Sequence, residues 1–158
     1  MLDIKPFRQK PSFCGPACLK MVLRYYGTDK TEKELGKLTK CTFDKGTPGI
    51  NILKAAHKLG FDGFIKDNAT IKKLREYVEK KKIPVIVDWF SVSEGHYSVV
   101  IGIDKENIYI QDPEFGSMRA LRLKEFKNEW FDFSGNLLKP TDQIVIRRMI
   151  VIFKKKKL

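Results

Sequence analysis

The run Gln9-Lys-Pro-Ser-Phe-Cys14-Gly-Pro-Ala-Cys-Leu-Lys-Met-Val-Leu-Arg-Tyr-Tyr-Gly27 passes from extended chain into a helix. Ser12 and Gly15-Pro16 open that helix, because proline is tolerated in a first turn, where its missing N–H would be unpaired anyway. Ala17, Cys18, Met21, Val22 and Tyr25 recur at three- and four-residue spacing, which predicts a buried face. Gly27 ends the helix as a C-terminal cap. Cys14 therefore stands at a helix start, where free N–H groups and the positive end of the helix dipole can hold a thiolate, the attacking form of sulfur. Gly15 beside it lets another backbone come close. Cys18 lies four residues on, on the same face, and reads with Cys41 as an inert structural thiol.

Thr31-x-x-Glu34 is a capping box that starts a second, short helix. Thr47-Pro48 starts a third, carrying Ile52, Leu53, Ala56 and Leu59 and closing at Gly60. Phe61–Lys66 reads as a short extended segment, and Ile71–Lys82 as a fourth helix with Leu74, Tyr77 and Val78 on one side. The second half changes character. Ile83–Phe90, Tyr97–Ile103, Ile108–Asp112 and Ile144–Phe153 are rich in Val, Ile and aromatics, which predicts strands. Asp104-Lys105-Glu106-Asn107 is a polar turn that makes an antiparallel hairpin of the middle two, and Glu125–Trp130 reads as a helical turn. Helices first and strands afterwards is the pattern of an α+β domain, here a single one over residues 1–158 with a basic tail at 154–158.

Three more residues join Cys14 as candidates for chemistry. His96 follows Ser93-Glu94-Gly95 and opens an apolar strand, so it is placed at a strand end with Gly95 giving access. The other histidine, His57, falls mid-helix between Lys54 and Lys58 and reads as a surface residue. The hairpin returns Asp112 close to His96, where a carboxylate can hold the second ring nitrogen and fix the tautomer. Asp112-Pro113 followed by Gly116 is also strong turn chemistry. Gln9 lies five residues before Cys14, a spacing that a tight turn at Pro11-Ser12 accommodates, and its amide can donate to the oxygen of a tetrahedral intermediate.

These residues carry a resemblance. The Gln9–Gly27 run resembles the nucleophile segment of the papain-like, bacteriocin-processing cysteine peptidases, which remove double-glycine leaders and occur at the N-terminus of peptide-exporting ABC transporters or as stand-alone relatives. Gly95-His96-Tyr-Ser-Val-Val-Ile-Gly102 and Gln111-Asp112-Pro113-x-x-Gly116 are similar to that family's histidine and aspartate segments, and Leu123–Trp130 to a segment that follows them. The resemblance implies a papain-like α+β fold, with the nucleophile at a helix start packed on a C-terminal antiparallel sheet. It also implies a Cys14-His96-Asp112 triad, Gln9 as oxyanion-hole donor, a peptide or protein substrate and no cofactor. With no transporter segments after it, the chain reads as a stand-alone, cytoplasmic member.

Composition bounds the alternatives. The chain has 158 residues, 42% hydrophobic and 32% charged, as in an ordinary globular domain. No apolar run reaches the roughly 20 residues that cross a membrane. Three cysteines without a CxxC pair, and two histidines, argue against both a disulfide framework and a structural zinc. The net charge of +12 invites nucleic acid, but only 7 of the 31 basic residues are arginine and the lysines are scattered, so a solvated surface is the better account. Two readings stand beside a peptidase: an isopeptidase or acyl-transferase using the same triad, and a peptidase-like module that binds peptide without turnover.

Overall fold

A computed structural model describes residues 1–92, 94–133 and 144–156. Its helical part begins with α1 (Cys14–Tyr25), closed as the sequence predicts: Gly27 adopts φ +86°, Thr28 N–H bonds Leu23 C=O and Gly27 N–H bonds Arg24 C=O. Next comes α2 (Glu32–Leu38), whose capping box forms in full between Thr31 and Glu34, and then α3 (Gly49–Lys58). After β1 (Phe61–Lys66) the chain makes α4 (Ile71–Arg75), β2 (Val85–Ser91), β3 (Glu94–Ile103), β4 (Asn107–Asp112) and β5 (Ser117–Arg122). It finishes with α5 (Leu123–Glu129), β6 (Phe131–Phe133), β7 (Ile144–Ile146) and β8 (Arg148–Lys154).

Six strands form one antiparallel sheet in the order β1-β8-β2-β3-β4-β5, and β6 and β7 pair as a separate ribbon. Leu19, Val22 and Leu23 of α1, Ile52 of α3, and Ile86, Val99 and Ile150 of the sheet are fully buried in one cluster. Each such side chain stabilises the fold by about 1.5–3 kcal/mol. The α+β expectation, helices packed on a C-terminal antiparallel sheet, is met.

Several boundaries differ, each for a local reason. Ser12 takes φ +67° inside a turn closed by Phe13 N–H on Lys10 C=O, and Phe13, not Ser12, precedes the helix. The helix expected over Ile71–Lys82 stays α-helical only to Arg75, and Glu76–Lys80 widens into a π turn. Ile144–Phe153 is not one strand: Arg147 at φ +48° breaks it, sending β7 to β6 and β8 into the middle of the sheet. Ser117–Arg122, read as no element, is the edge strand β5. Lys154, assigned to the tail, closes β8 opposite Phe61, while residues 157 and 158 of the tail, and Ser93, lie outside the described residues.

One irregularity decides the site. Near the turn, Ile103 opposes Ile108 and Gly102 opposes Tyr109, pairing odd residues with even. Beyond a bulge at Ile101, Val100 opposes Ile110 and Val99 opposes Gln111, pairing like with like. Opposed residues share a face and successive ones alternate, so the extra residue turns the even positions of β4 to the side of the even positions of β3. Asp112 and His96 thereby share a face. Without the bulge they would point apart. The Ile101 carbonyl, freed from the ladder, accepts the Leu2 N–H at 2.7 Å.

Candidate active site

Cys14 begins α1 and is partly exposed, with the side chain of Phe13 before it lodged on α2. A Cβ on Gly36 would stand 2.6 Å from Phe13 Cε1, so glycine there makes the seat for the ring. Lys10 N–H bonds the Glu32 carboxylate at 3.0 Å, tying the approach to Cys14 to the same helix. Gly15 also serves close approach, but to a side chain and not to a backbone: Thr47 Cβ would lie 2.8 Å from an added Cβ.

His96 is the third residue of β3, opposite Trp89, and so is two residues inside the strand. It is buried, with the Trp89 ring set edge-on at 6.1 Å. Its Nε2 meets Asp112 Oδ1 at 2.7 Å. That leaves Nδ1 as the ring nitrogen open to the Cys14 sulfur, which is near enough to raise the His96 pKa. Burial alone would lower the His96 pKa. The Asp112 carboxylate and the Cys14 sulfur outweigh it and push the value up to about 10.

Asp112 is wholly enclosed and held from three sides. Burial would raise its pKa, but the His96 ring, the Arg119 guanidinium and the Glu114 N–H hold it below the usual carboxylate range. Arg119 Nη1 lies 2.7 Å from Oδ2 and the Glu114 N–H 3.0 Å from Oδ1. Arg119 is a site residue that sequence reasoning missed. It sits on β5 opposite Ile110 and lies against the Phe115 ring at 4.6 Å. Its signal was the alternation of Ser117–Arg122 directly after the Gly116 turn.

Gln9 is brought to the same corner. Its N–H bonds the Pro113 carbonyl at 2.8 Å, and Gly116 at φ +65° lies against Arg8, where a Cβ would meet Arg8 Cβ at 2.7 Å. The Gln9 Oε1 is buried with no partner among the described residues. Cys18 is fully buried and its thiol is pushed well up, chiefly by burial, while Cys41 is half-buried, also pushed up by burial, with its Sγ 3.4 Å from Ser12 C=O. His57 is exposed, as read, 3.9 Å from Asp62. Among the described residues, His96, Asp112 and Glu114 bring ligand-type atoms within 4.8 Å of one another, but His96 and Asp112 already engage each other.

Residues 7–142 match the model of the peptidase C39 family. The chain belongs to that family. C39 chemistry is that of a cysteine peptidase, and this C39 peptidase is similar to several named relatives. It is 35% identical over 137 residues to the lactococcin-G-processing and transport ATP-binding protein LagD of Lactococcus lactis, covering 85% of this chain and 18% of that protein. The chain thus spans about a fifth of the length of that relative. The peptidase domain of Streptococcus ComA superposes with a TM-score of 0.74 at 24% identity, over 96% of this chain and 99% of that one. A double-glycine-motif protease from an AMS/PCAT transporter, solved with its leader peptide, superposes with a TM-score of 0.67 at 20% identity, over 95% and 91%. Among the described residues no helix of the C39 peptidase is long and apolar enough to cross a membrane.

Proposed function

We propose that this C39 peptidase hydrolyses a peptide bond with Cys14 as nucleophile, His96 as its acid and base, Asp112 as the group that orients His96, and Gln9 as an oxyanion donor. The observation that carries the reading is His96 itself, its Nε2 held by Asp112 at 2.7 Å and its pKa raised by the Cys14 sulfur nearby. An imidazolium beside sulfur stabilises the thiolate by charge, and the thiolate attacks the carbonyl carbon. The same imidazolium then gives its Nδ1 proton to the departing amine, and returns as base to activate the water that releases the acyl group. The Asp112 carboxylate stays ionised throughout, held by Arg119.

Gln9 supports its role through position. Its backbone N–H is fastened to the Pro113 carbonyl, next to Asp112, and the Lys10–Phe13 turn links it to the α1 start. The family's relatives include a protease solved with a leader peptide and a lactococcin-processing protein, so a leader peptide ending in two glycines is the first substrate to try. The site alone favours neither acyl transfer to an amine nor binding without turnover.

The test is a peptide library that includes double-glycine leaders, followed by mass spectrometry, with wild-type protein and Cys14→Ala. Cleavage by the wild type alone, with brief iodoacetamide treatment labelling Cys14 ahead of Cys18 and Cys41, supports the reading. Cleavage that survives Cys14→Ala rejects it. Gln9→Ala should slow turnover by about 10²–10³ while leaving Cys14 labelling intact, since only the tetrahedral intermediate needs the donor.

A further inference from the structure

Asp88 interrupts the apolar run Val85-Ile86-Val87 of β2 and is only 3% exposed. Its Oδ1 is buried with no partner among the described residues. An ionised carboxylate in that position would cost several kcal/mol. A second carboxyl, Asp132 of β6, stands on Gly95, the partner of Phe90 two residues along β2, and its charge raises the Asp88 carboxyl. Two carboxylates in contact cannot both ionise, and a shared proton resolves the conflict.

We propose that Asp88 and Asp132 share one proton and act as a positioning pair that seats the β6–β7 ribbon on Gly95, and so fixes the strand that carries His96. This rests on His96 serving Cys14 as described above. The geometry makes the connection at Gly95. A Cβ there would stand 2.0 Å from Asp132 Oδ1 and 2.3 Å from Cγ, so Asp132 lies directly on the backbone one residue before His96. Gly95 thus makes room for a carboxyl, a use beyond the access read from the sequence. The neighbours of Asp132 complete the seat: Phe131 stacks on Phe90 at 5.3 Å and Phe133 meets the same ring edge-on at 5.9 Å. Phe90 opposes Gly95, and Asp88 opposes Tyr97. By alternation these four face away from Trp89 and His96, so the ribbon braces the histidine strand from behind.

The charges around the pair agree with one proton held on Asp88. Burial first, then the charge of Asp132, push the Asp88 carboxyl up to about 9; Cys14 of α1 adds to the rise and Arg148 of β8 opposes it. Burial also raises Asp132, as does Glu94 of β3, against the hydrogen bond from Asp88 and the charge of Arg148. Arg148 does not neutralise the pair outright, because its Nε and Nη2 are taken by Asp67 at 2.7 and 2.9 Å. Tyr97 faces the pair from β3, but its hydroxyl is committed to the Thr47 carbonyl at 2.9 Å. A carboxyl raised in this way keeps its contact at lower pH and loses it as pH rises through about 9, where the pair becomes a dianion.

The experiment joins infrared spectra to kinetics on the full chain. At neutral pH the wild type should show a protonated-carboxyl C=O band that is absent from Asp88→Asn. Asparagine still donates to Asp132 and has no proton to lose. Asp88→Asn should therefore keep kcat within about twofold at neutral pH and lack the loss of activity near pH 9. Asp132→Ala, checked for folding by circular dichroism, should lower kcat by about tenfold to a hundredfold with KM little changed, as a misplaced histidine would. If Asp132→Ala fails to fold, the band and the pH profile of Asp88→Asn decide alone. No protonated band in the wild type, or an unchanged pH profile in Asp88→Asn, overturns the pair while an inactive Cys14→Ala leaves the proposed function standing. Turnover by Cys14→Ala would overturn both.

Discussion

At His96 burial and charge oppose each other, and charge prevails: the ring is enclosed, yet its pKa rises to about 10 through Asp112 and Cys14. A raised basic group contributes stability that is complete below its ordinary value near ~6.5 and is lost as pH climbs through about 10. Activity that needs the imidazolium should follow the same limb. Asp112→Asn removes the largest raising influence and leaves the lowering effect of burial, so the alkaline fall of kcat/KM should move to lower pH. A pH–rate profile whose alkaline limb stays put would remove Asp112 from the site. Arg119→Ala deprives the Asp112 carboxylate of a charged donor, a loss of roughly 1.5–3 kcal/mol. It should lower kcat by about tenfold or more, and Arg119→Lys should recover part of it. Unchanged kinetics in folded Arg119→Ala would make that ion pair ornamental.

At the scale of elements, the β3 bulge sets which way β4 faces. Deleting Ile101 removes the extra residue but leaves Val100 opposite Ile110, so Asp112 stays on the His96 face and turnover should persist. Deleting Ile110 as well puts Gln111 opposite Val100 and Asp112 opposite Val99, on the face away from His96. Turnover should then disappear, and with it the orientation of the histidine. Activity in the folded double deletion at the wild-type level would show that this register does not govern the site. The ribbon β6–β7 works on the same hairpin from the other side, clamping Phe90 between Phe131 and Phe133.

Across the whole molecule, the first nine residues form a strap over the site's sheet. Leu2 N–H bonds the bulge carbonyl at 2.7 Å, the Gln111 amide donates to Ile4 C=O at 2.7 Å, and Gln9 N–H bonds Pro113 C=O at 2.8 Å. Leu2 and Ile4 are buried in the core. Removing residues 1–4 exposes the bulge and deletes two buried aliphatic side chains, worth about 3–6 kcal/mol together. At roughly 2–4 °C per kcal/mol for a chain of this size, Tm should fall by about 10–20 °C. Differential scanning calorimetry checks this, and a shift of only a degree or two would mean the strap is decorative.

Local features are written in neighbouring residues. Thr31 and Glu34 write the capping box, Gly27 the end of α1, and Asp104–Asn107 the turn whose Asp104 carboxylate accepts from the N–H groups of Glu106 and Asn107. The four candidate residues were legible for the same reason, each marked by neighbours a few positions away: Gly15-Pro16 after Cys14, Gly95 before His96, Pro113 after Asp112, the Pro11-Ser12 turn after Gln9. Tertiary structure alone decided the rest. Period-2 alternation states which residues share a face within one strand, but it does not state the register between two strands, and a one-residue bulge reverses the answer. The Ile144–Phe153 run is strand-forming on both sides of Arg147-Arg148 and holds no Gly or Pro to mark a break, so the two partners, β6 and the main sheet, divide it at Arg147. Asp88 and Asp132 are 44 positions apart, and nothing near either announces a shared proton. Their environment is made by burial and by each other, and both exist only once the chain has folded.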